Sequence, residues 1–122
     1  MAHIVLLGDS IFDNASYVPE GMDVRTQLES MLHREHQISL LAQDGSVLAD
    51  MAGQVRRLQE LPATADWLVV SCGGNDVLGL VGAMHSPVSS VLEATQLLAS
   101  WRDGFRRDYR RMLDLTLPTG IP

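Results

Sequence analysis

The 122-residue sequence predicts an α/β fold built on a parallel sheet. Three short apolar segments alternate with stretches whose apolar residues recur at helical spacing, in the order βαβαβα. Strands and helices that alternate in this way form parallel sheets with right-handed crossovers. The sequence has no internal repeat, low-complexity tract or linker. We therefore expect a single domain over residues 1–122.

The first half of the chain contains two predicted strands and two predicted helices. Residues 4–7 form a short apolar run, typical of a strand buried on both faces. Asp23 can cap a following helix. The apolar stripe of that helix consists of Val24, Leu28, Met31 and Leu32. Residues 38–42 predict the second strand, and the apolar positions of residues 47–61 predict the second helix.

The second half contains the third strand and a long helix. Residues 67–70 repeat the pattern of a strand buried on both faces, and a glycine-containing loop then leads to Pro87. A helix is expected from about residue 89 to residue 115. Its apolar positions are Leu92, Leu97, Leu98, Trp101, Phe105, Met112 and Leu113. Residues 117–122 resemble the approach to another strand.

Composition excludes several classes of protein. A hydrophobic content of 46% argues against disorder. The formal charge of −6 provides no field that attracts phosphate, so we expect no nucleic-acid partner. One cysteine, Cys72, rules out an internal disulfide and is typical of a reducing compartment. The apolar runs are far shorter than the roughly 20 residues that span a bilayer, and no secretory signal pattern is present, so we expect a cytoplasmic protein without a membrane span.

The turns that follow the three strands carry the residues suited to chemistry. In open α/β sheets, ligands bind at the carboxyl ends of the strands, where these turns should meet. Ser10 follows the first strand and is a candidate nucleophile. Gly45 follows the second, and its backbone N–H can approach a developing oxyanion closely. Asn75 follows the third and offers a side-chain amide to the same oxyanion.

In these blocks the sequence resembles the SGNH hydrolases, also called GDSL esterases and lipases. The first block is residues 4–10, the second is Gly45, and the third is residues 73–76. The resemblance implies a flavodoxin-like three-layer sandwich with a parallel sheet and hydrolysis of esters without a cofactor. It also implies that Ser10 is the nucleophile and that the oxyanion hole comprises the N–H groups of Ser10 and Gly45 and the Asn75 side chain. Asp9 and Gly74 are expected to support the site.

The sequence departs from the family pattern near its carboxyl end. The family has Asp-x-x-His there, which supplies the general base and the acid that orients it, whereas no aspartate here precedes a histidine by three residues. The chain therefore resembles the amino-terminal portion of such a hydrolase, expected to stop after the third strand and the helix that follows it. Loss of the histidine from a serine triad lowers kcat about a millionfold, so we expect this chain alone to be inactive or weak.

The four histidines offer one substitute base. His85 lies ten residues after Asn75, toward the carboxyl end of the sheet, and is the intrinsic candidate. His3 is expected to pack within the first strand. His33 and His36 have the spacing of metal ligands on a helix, but no carboxylate or cysteine pattern accompanies them, so no metal is expected.

Two functions remain open at this point. The first is an ester hydrolase that acts on a small acyl ester through Ser10. The second is a non-catalytic α/β module that binds an acyl compound or a protein partner. Nucleotide binding is disfavoured because neither G-x-G-x-x-G nor G-x-x-x-x-G-K-[ST] occurs. An incomplete sheet would leave an unpaired edge and uncovered apolar helix faces, so we also expect self-association.

Overall fold

The computed structural model describes residues 1–122 and contains one sheet of three strands with four α-helices. The strands are β1 (His3–Gly8), β2 (Gln37–Leu40) and β3 (Trp67–Ser71). The helices are α1 (Val24–Met31), α2 (Met51–Arg57), α3 (Gly74–Leu78) and α4 (Val91–Thr116). Short 3-10 turns lie at Ala15–Tyr17, Leu48–Asp50, Leu58–Glu60, Ala83–His85 and Leu117–Thr119.

The sheet is parallel throughout, with strand order β2-β1-β3, which confirms the predicted α/β class. Strand β1 pairs with β2 from His3 to Leu6 and with β3 from Ile4 to Gly8. Strand β1 thus extends past the end of β2, and on that side Gly8 has no strand partner. This offset lies where the turns converge.

The main core lies on one face of the sheet. Val5 and Leu7 of β1 are completely buried there, as is Met51 of α2. Met112 brings the long helix α4 into the same cluster. Full burial of such a side chain stabilises the fold by roughly 1.5–3 kcal/mol. The core therefore depends on the central strand and on two helices that pack over it.

Hydrogen bonds at the first turns explain where two helices begin. The Asp23 carboxylate accepts the Thr26 N–H at 3.1 Å, which confirms the predicted cap of α1. The Ser90 hydroxyl accepts the Glu93 N–H at 3.0 Å at the start of α4. Each cap satisfies a backbone donor that has no partner within its helix. None of the helices combines the length and apolarity needed to cross a bilayer.

Strand β3 is not buried on both faces, and that prediction is wrong. Trp67 is 52% exposed and Val69 is 42% exposed. The two residues pair in register with Ile4 and Leu6 of the central strand. Because β3 is an edge strand, its outer side and part of one face have no covering element. An apolar run alone does not distinguish a central strand from an edge strand.

Two predicted helical stripes are also less buried than expected. Met31, at the end of α1, is 78% exposed. On α4, Leu92 is 68% exposed and Leu98 is 57% exposed, whereas Met112 is buried. The carboxyl-terminal part of α4 contacts the core, and its amino-terminal part does not. The apolar periodicity predicted α4 correctly, but it did not show that only the carboxyl-terminal part of the helix packs against the core.

Element boundaries differ from the prediction in two places. The helix expected over residues 47–61 consists of α2 flanked by the 3-10 turns Leu48–Asp50 and Leu58–Glu60. The loop expected after β3 contains α3. The residue before this helix, Gly73, has a left-handed backbone conformation with a φ of 117°. Glycine adopts this conformation without steric cost, so the glycine pair begins a helix instead of a simple loop.

The carboxyl end of the chain reaches the free side of β3. After the turn Leu117–Thr119, Gly120 adopts a positive φ of 69°. The Leu68 N–H then donates to the carbonyl oxygen of Pro122 at 2.8 Å. Residues 117–122 form no strand of their own, but their last carbonyl occupies one hydrogen-bonding position on that edge.

We predict that the chain self-associates through the exposed surface of β3. The Trp67→Lys substitution should weaken this association about tenfold or more, because it removes an exposed aromatic side chain and adds charge to the edge. Sedimentation velocity over a range of concentrations measures the effect. Met31→Lys is the matched control, since it makes the same change to an even more exposed apolar side chain on α1. A wild-type chain that stays monomeric at every concentration would contradict the prediction.

Candidate active site

The first turn, residues 8–13, leaves β1 close to β3. Gly8 has a φ of 127°, and a Cβ at this position would lie 1.8 Å from the carbonyl oxygen of Ser71. The same carbonyl accepts the Asp9 N–H at 3.0 Å. No residue with a side chain fits this approach, so glycine is required immediately before Asp9 and Ser10.

Asp9 organises the chain around Ser10. Its carbonyl oxygen accepts the N–H groups of Phe12 at 3.1 Å and Asp13 at 3.0 Å. Its buried carboxylate accepts the Ile11 N–H at 3.1 Å. Ser10 therefore begins a single helical turn at the end of a rigid strand. The Ser10 N–H donates to no acceptor within the chain.

The second turn, residues 43–46, presents another unpaired donor. It is closed by a hydrogen bond from the Ser46 N–H to the Gln43 carbonyl at 3.1 Å. Gly45 has a φ of 81°, is exposed, and has no atom within 4 Å of the position a Cβ would take. Its N–H also donates to no acceptor within the chain. Open space and a free donor are what a ligand oxygen requires.

Hydrogen bonds join the first and second turns directly. The Gln43 N–H donates to the Gly8 carbonyl at 3.0 Å, and the Asp44 N–H donates to the Asp13 carboxylate at 2.7 Å. The Tyr17 hydroxyl donates to the Asp44 carboxylate. That hydrogen bond raises the pKa of the Tyr17 hydroxyl above its ordinary value, because ionisation would break the bond.

The third turn, residues 73–76, binds to the second. The Asn75 side-chain N–H donates to the Ser46 carbonyl at 2.9 Å. The Asp76 carboxylate accepts the Leu48 N–H through both oxygens, at 3.0 and 3.2 Å. One N–H of the Asn75 amide is thus engaged, and its second N–H remains available to a ligand. The predicted convergence of the three turns is therefore present as a continuous set of hydrogen bonds.

Helix α4 limits the space behind the third turn. A Cβ on Gly73 would lie 3.0 Å from Cζ of Phe105. Phe105 in turn stacks on Tyr109, with ring centroids 6.0 Å apart. The buried glycine therefore lets the third turn pack directly against an aromatic ring.

Sequence reasoning missed Gln54 as a site residue. Gln54 is on α2, is only 3% exposed, and lies between Met51 and Val55 on the apolar stripe. Its side chain bonds both backbone groups of Gly8 and the hydroxyl of Ser46. A polar residue on an otherwise apolar helix face was the available signal, because a buried amide requires partners.

The pKa of the Cys72 thiol depends on the carboxylates around these turns. Burial, together with the nearby carboxylates of Asp76, Asp9 and Asp50, raises its pKa to about 11. The thiol is therefore protonated near neutral pH and is a poor nucleophile. The same carboxylates make the potential around the turns negative.

The structure does not join the histidines to these turns. The ring of His3 contacts the Thr64 carbonyl and the Ser39 hydroxyl at the opposite end of the sheet. His36 accepts the Ala2 N–H there as well. His85 lies exposed in the turn Ala83–His85. No group of three or more His, Cys, Asp or Glu side chains is placed to hold a metal ion.

Free hydrogen-bond donors grouped beside a hydroxyl are the groups that an acyl-transfer site would use to bind an oxyanion. Hydrogen bonds connect the three turns. Together these turns carry the Ser10 hydroxyl, the free backbone N–H groups of Ser10 and Gly45, and one spare side-chain N–H of Asn75. These are the donors that the resemblance to the SGNH hydrolases predicts. Residues 4–120 match the family model of the GDSL-like lipases and acylhydrolases, and the chain belongs to that family.

Solved structures of the same fold are esterases. Two variants of the esterase AlinE4 match with a TM-score of 0.64 at 21% and 20% identity, covering 99% of this chain. AlinE4 itself, described as an SGNH-hydrolase family esterase, matches with a TM-score of 0.53 at 24% identity over 87% of this chain. The chain spans little more than half of these esterases, 56% and 53% of their length. No protein of curated function matches the sequence significantly.

We predict that Cys72 reacts slowly with iodoacetamide in the folded chain. A pKa of about 11 in place of 9.0 lowers the thiolate fraction at pH 8 roughly a hundredfold. The rate should rise about tenfold per pH unit until it levels off near pH 11. By linkage, the protonated thiol stabilises the folded chain below pH 9 and loses this effect as pH rises through 11. Mass spectrometry of the alkylated chain follows the reaction.

The Asp76→Asn variant separates the two causes of this shift. Asparagine keeps an acceptor for the Leu48 N–H but removes one negative charge, so alkylation of Cys72 at pH 8 should become faster. Asp103→Asn removes an exposed carboxylate of α4 and serves as the control. A wild-type profile that levels off near pH 9 would contradict the electrostatic description of these turns.

Proposed function

We propose that this chain provides the nucleophile and the oxyanion-binding groups of an ester hydrolase that works by serine acyl transfer. The single observation that carries the proposal is the pair of unpaired N–H groups at Ser10 and Gly45, in turns that hydrogen bonds join. Two backbone donors left free in adjoining turns beside a serine are available to bond a ligand oxygen.

In the proposed reaction, the Ser10 oxygen bonds to the ester carbonyl carbon and its proton passes to an acceptor. The carbonyl oxygen becomes an oxyanion that receives hydrogen bonds from Ser10, Gly45 and Asn75. The ester bond then breaks, and the alkoxide leaves as an alcohol after protonation. Water hydrolyses the acyl-serine, which releases the acid and restores the hydroxyl.

The charge near the turns supports a neutral ester over an anionic substrate. Asp9 and Asp76 raise the pKa of the nearby Cys72 thiol, and the same carboxylates would repel an anion. A small neutral acyl ester avoids that repulsion until the oxyanion forms, when the N–H donors stabilise it. The predicted cytoplasmic location of the protein stays a prediction.

The activity expected of these 122 residues is low. An oxyanion hole and substrate binding alone accelerate hydrolysis by roughly a thousandfold over water, whereas loss of a triad histidine costs about a millionfold. His85 is the candidate acceptor within the chain, because its ring is exposed and makes no hydrogen bond with the rest of the chain.

A non-catalytic binding module is the second candidate. It is favoured by the placement of His3 and His36, whose rings are engaged at the opposite end of the sheet. Such a module would use the same N–H donors to hold the carbonyl or carboxylate oxygen of an acyl compound, without attack by Ser10.

The test is covalent labelling of the folded chain with a small fluorophosphonate. The Ser10 oxygen should bond to phosphorus while fluoride leaves and the hydroxyl proton passes to solvent. Intact mass should show one adduct, and peptide mass spectrometry should place it on Ser10. Ser10→Ala should remove the adduct, and Ser16→Ala, an exposed serine in the following 3-10 turn, should keep it.

The outcomes separate the two candidates. An adduct that depends on Ser10 supports the hydrolase. No adduct on a folded chain, together with shifts of the Ser10 and Gly45 amide resonances when a short-chain ester is added, supports the binding module. Neither adduct nor shifts would overturn both.

A further inference from the structure

Gln54 binds both peptide groups at the end of the central strand. Its Oε1 accepts the Gly8 N–H at 2.7 Å, and its Nε2 donates to the Gly8 carbonyl at 2.8 Å. The same Nε2 donates to the Ser46 hydroxyl at 3.2 Å. All of these groups are buried, and no buried side-chain polar atom of the chain lacks a partner.

The need for this side chain follows from the offset of the strands. Backbone groups of alternate residues in a strand point to the same side. The Leu6 carbonyl accepts the N–H groups of Leu41 and Ala42 on the β2 side, so Gly8 faces that side too. Strand β2 has ended there, so no strand carbonyl remains to accept the Gly8 N–H, and the Gly8 carbonyl accepts the Gln43 N–H of the following turn. The carboxamide of Gln54 supplies the missing acceptor and adds a second donor to the Gly8 carbonyl.

Ser46 links Gln54 to the third turn, because it forms hydrogen bonds with both Gln54 and Asn75. The hydroxyl of Ser46 binds Gln54, and its carbonyl accepts the Asn75 amide at 2.9 Å. One buried side chain thus connects the strand end before Ser10 with the turn that carries Gly45 and with the acceptor of Asn75. Each proposed oxyanion donor lies within two residues of a group in this connected set.

We propose that Gln54 is a positioning residue that sets the relative placement of the donors on Ser10, Gly45 and Asn75. The proposal rests on the proposed function for the identity of the ligand, an ester whose carbonyl oxygen becomes an oxyanion. Gln54 touches no reacting atom. It acts by holding two turns that otherwise meet only through exposed or backbone contacts.

The Gln54→Met variant tests this role. Methionine fills a similar volume in an apolar stripe but makes none of the three hydrogen bonds. Gln59→Met is the matched control, because the same change falls on an exposed residue of the 3-10 turn Leu58–Glu60. Both variants are compared with wild type below their unfolding temperatures, so that loss of folded protein does not enter the comparison.

The first readout needs no activity. In proton–nitrogen NMR spectra, Gln54→Met should shift the backbone amide of Gly45 and the side-chain amide of Asn75, neither of which forms a hydrogen bond with Gln54. Gln59→Met should leave both unchanged. If Gln54→Met leaves the Gly45 and Asn75 signals in place, the positioning role is overturned, whatever the labelling shows.

The second readout is the kinetics of fluorophosphonate labelling at Ser10. Misplaced donors should lower the maximal labelling rate at least tenfold while the half-saturating concentration stays within about twofold. An unchanged maximal rate would overturn the role. If wild type is not labelled but the NMR shifts occur, the proposed hydrolase fails and the placement of the turns by Gln54 stands.

If Gln54→Met does not fold, Gln54→Glu takes its place. Glutamate keeps the acceptor for the Gly8 N–H but loses the donor when it is ionised.

Discussion

The peptide groups of Gly8 lie where β1 continues and β2 has ended, and the pairing of those groups constrains the rest of the site. The Gly8 carbonyl also accepts the Gln43 N–H, but a buried Gly8 N–H without an acceptor would cost about 1–3 kcal/mol, so the fold requires a substitute for the missing strand acceptor. The carboxamide of Gln54 provides it. Because that carboxamide also binds Ser46, the end of the sheet and the second turn are stabilised together.

The turns satisfy most of their polar groups internally and leave a few donors free. Asp9, Asp13 and Asp76 each accept backbone N–H groups, which fixes the three loops without an external ligand. The N–H groups of Ser10 and Gly45 are left out of this set. In the proposed reaction, donors held before the ligand arrives would need little reorganisation when an oxyanion forms. Membership of the GDSL-like family is consistent with that arrangement.

Much of the architecture could be predicted from local patterns. The apolar runs at residues 4–7 and 67–70 predicted two strands, and Asp23 marked the start of α1, because these signals depend on neighbours in sequence. The exposure of Trp67 could not be predicted, since it depends on what packs against an edge strand. Gln54 was missed for a similar reason: its role follows from an offset between strands that only the assembled sheet reveals.

The resemblance to SGNH hydrolases predicted which residues would lie at the turns, but not how the turns are held. Motif residues such as Ser10 and Asn75 are recognisable because their chemistry is particular. The residues that connect them, Gln54 and Ser46, are ordinary types at ordinary positions, and only their burial and hydrogen bonds distinguish them. The motif residues are therefore easier to identify from sequence than the residues that hold them in place.

Hydrogen exchange of three backbone amides, followed by NMR in the wild-type chain, tests whether Gln54 pairs the Gly8 N–H while the Ser10 and Gly45 donors stay free. We predict slow exchange for the Gly8 N–H, which a buried side chain pairs beyond the end of β2, and rapid exchange for the N–H groups of Ser10 and Gly45. Rapid exchange at Gly8, or strong protection of Ser10 and Gly45 without ligand, would contradict it.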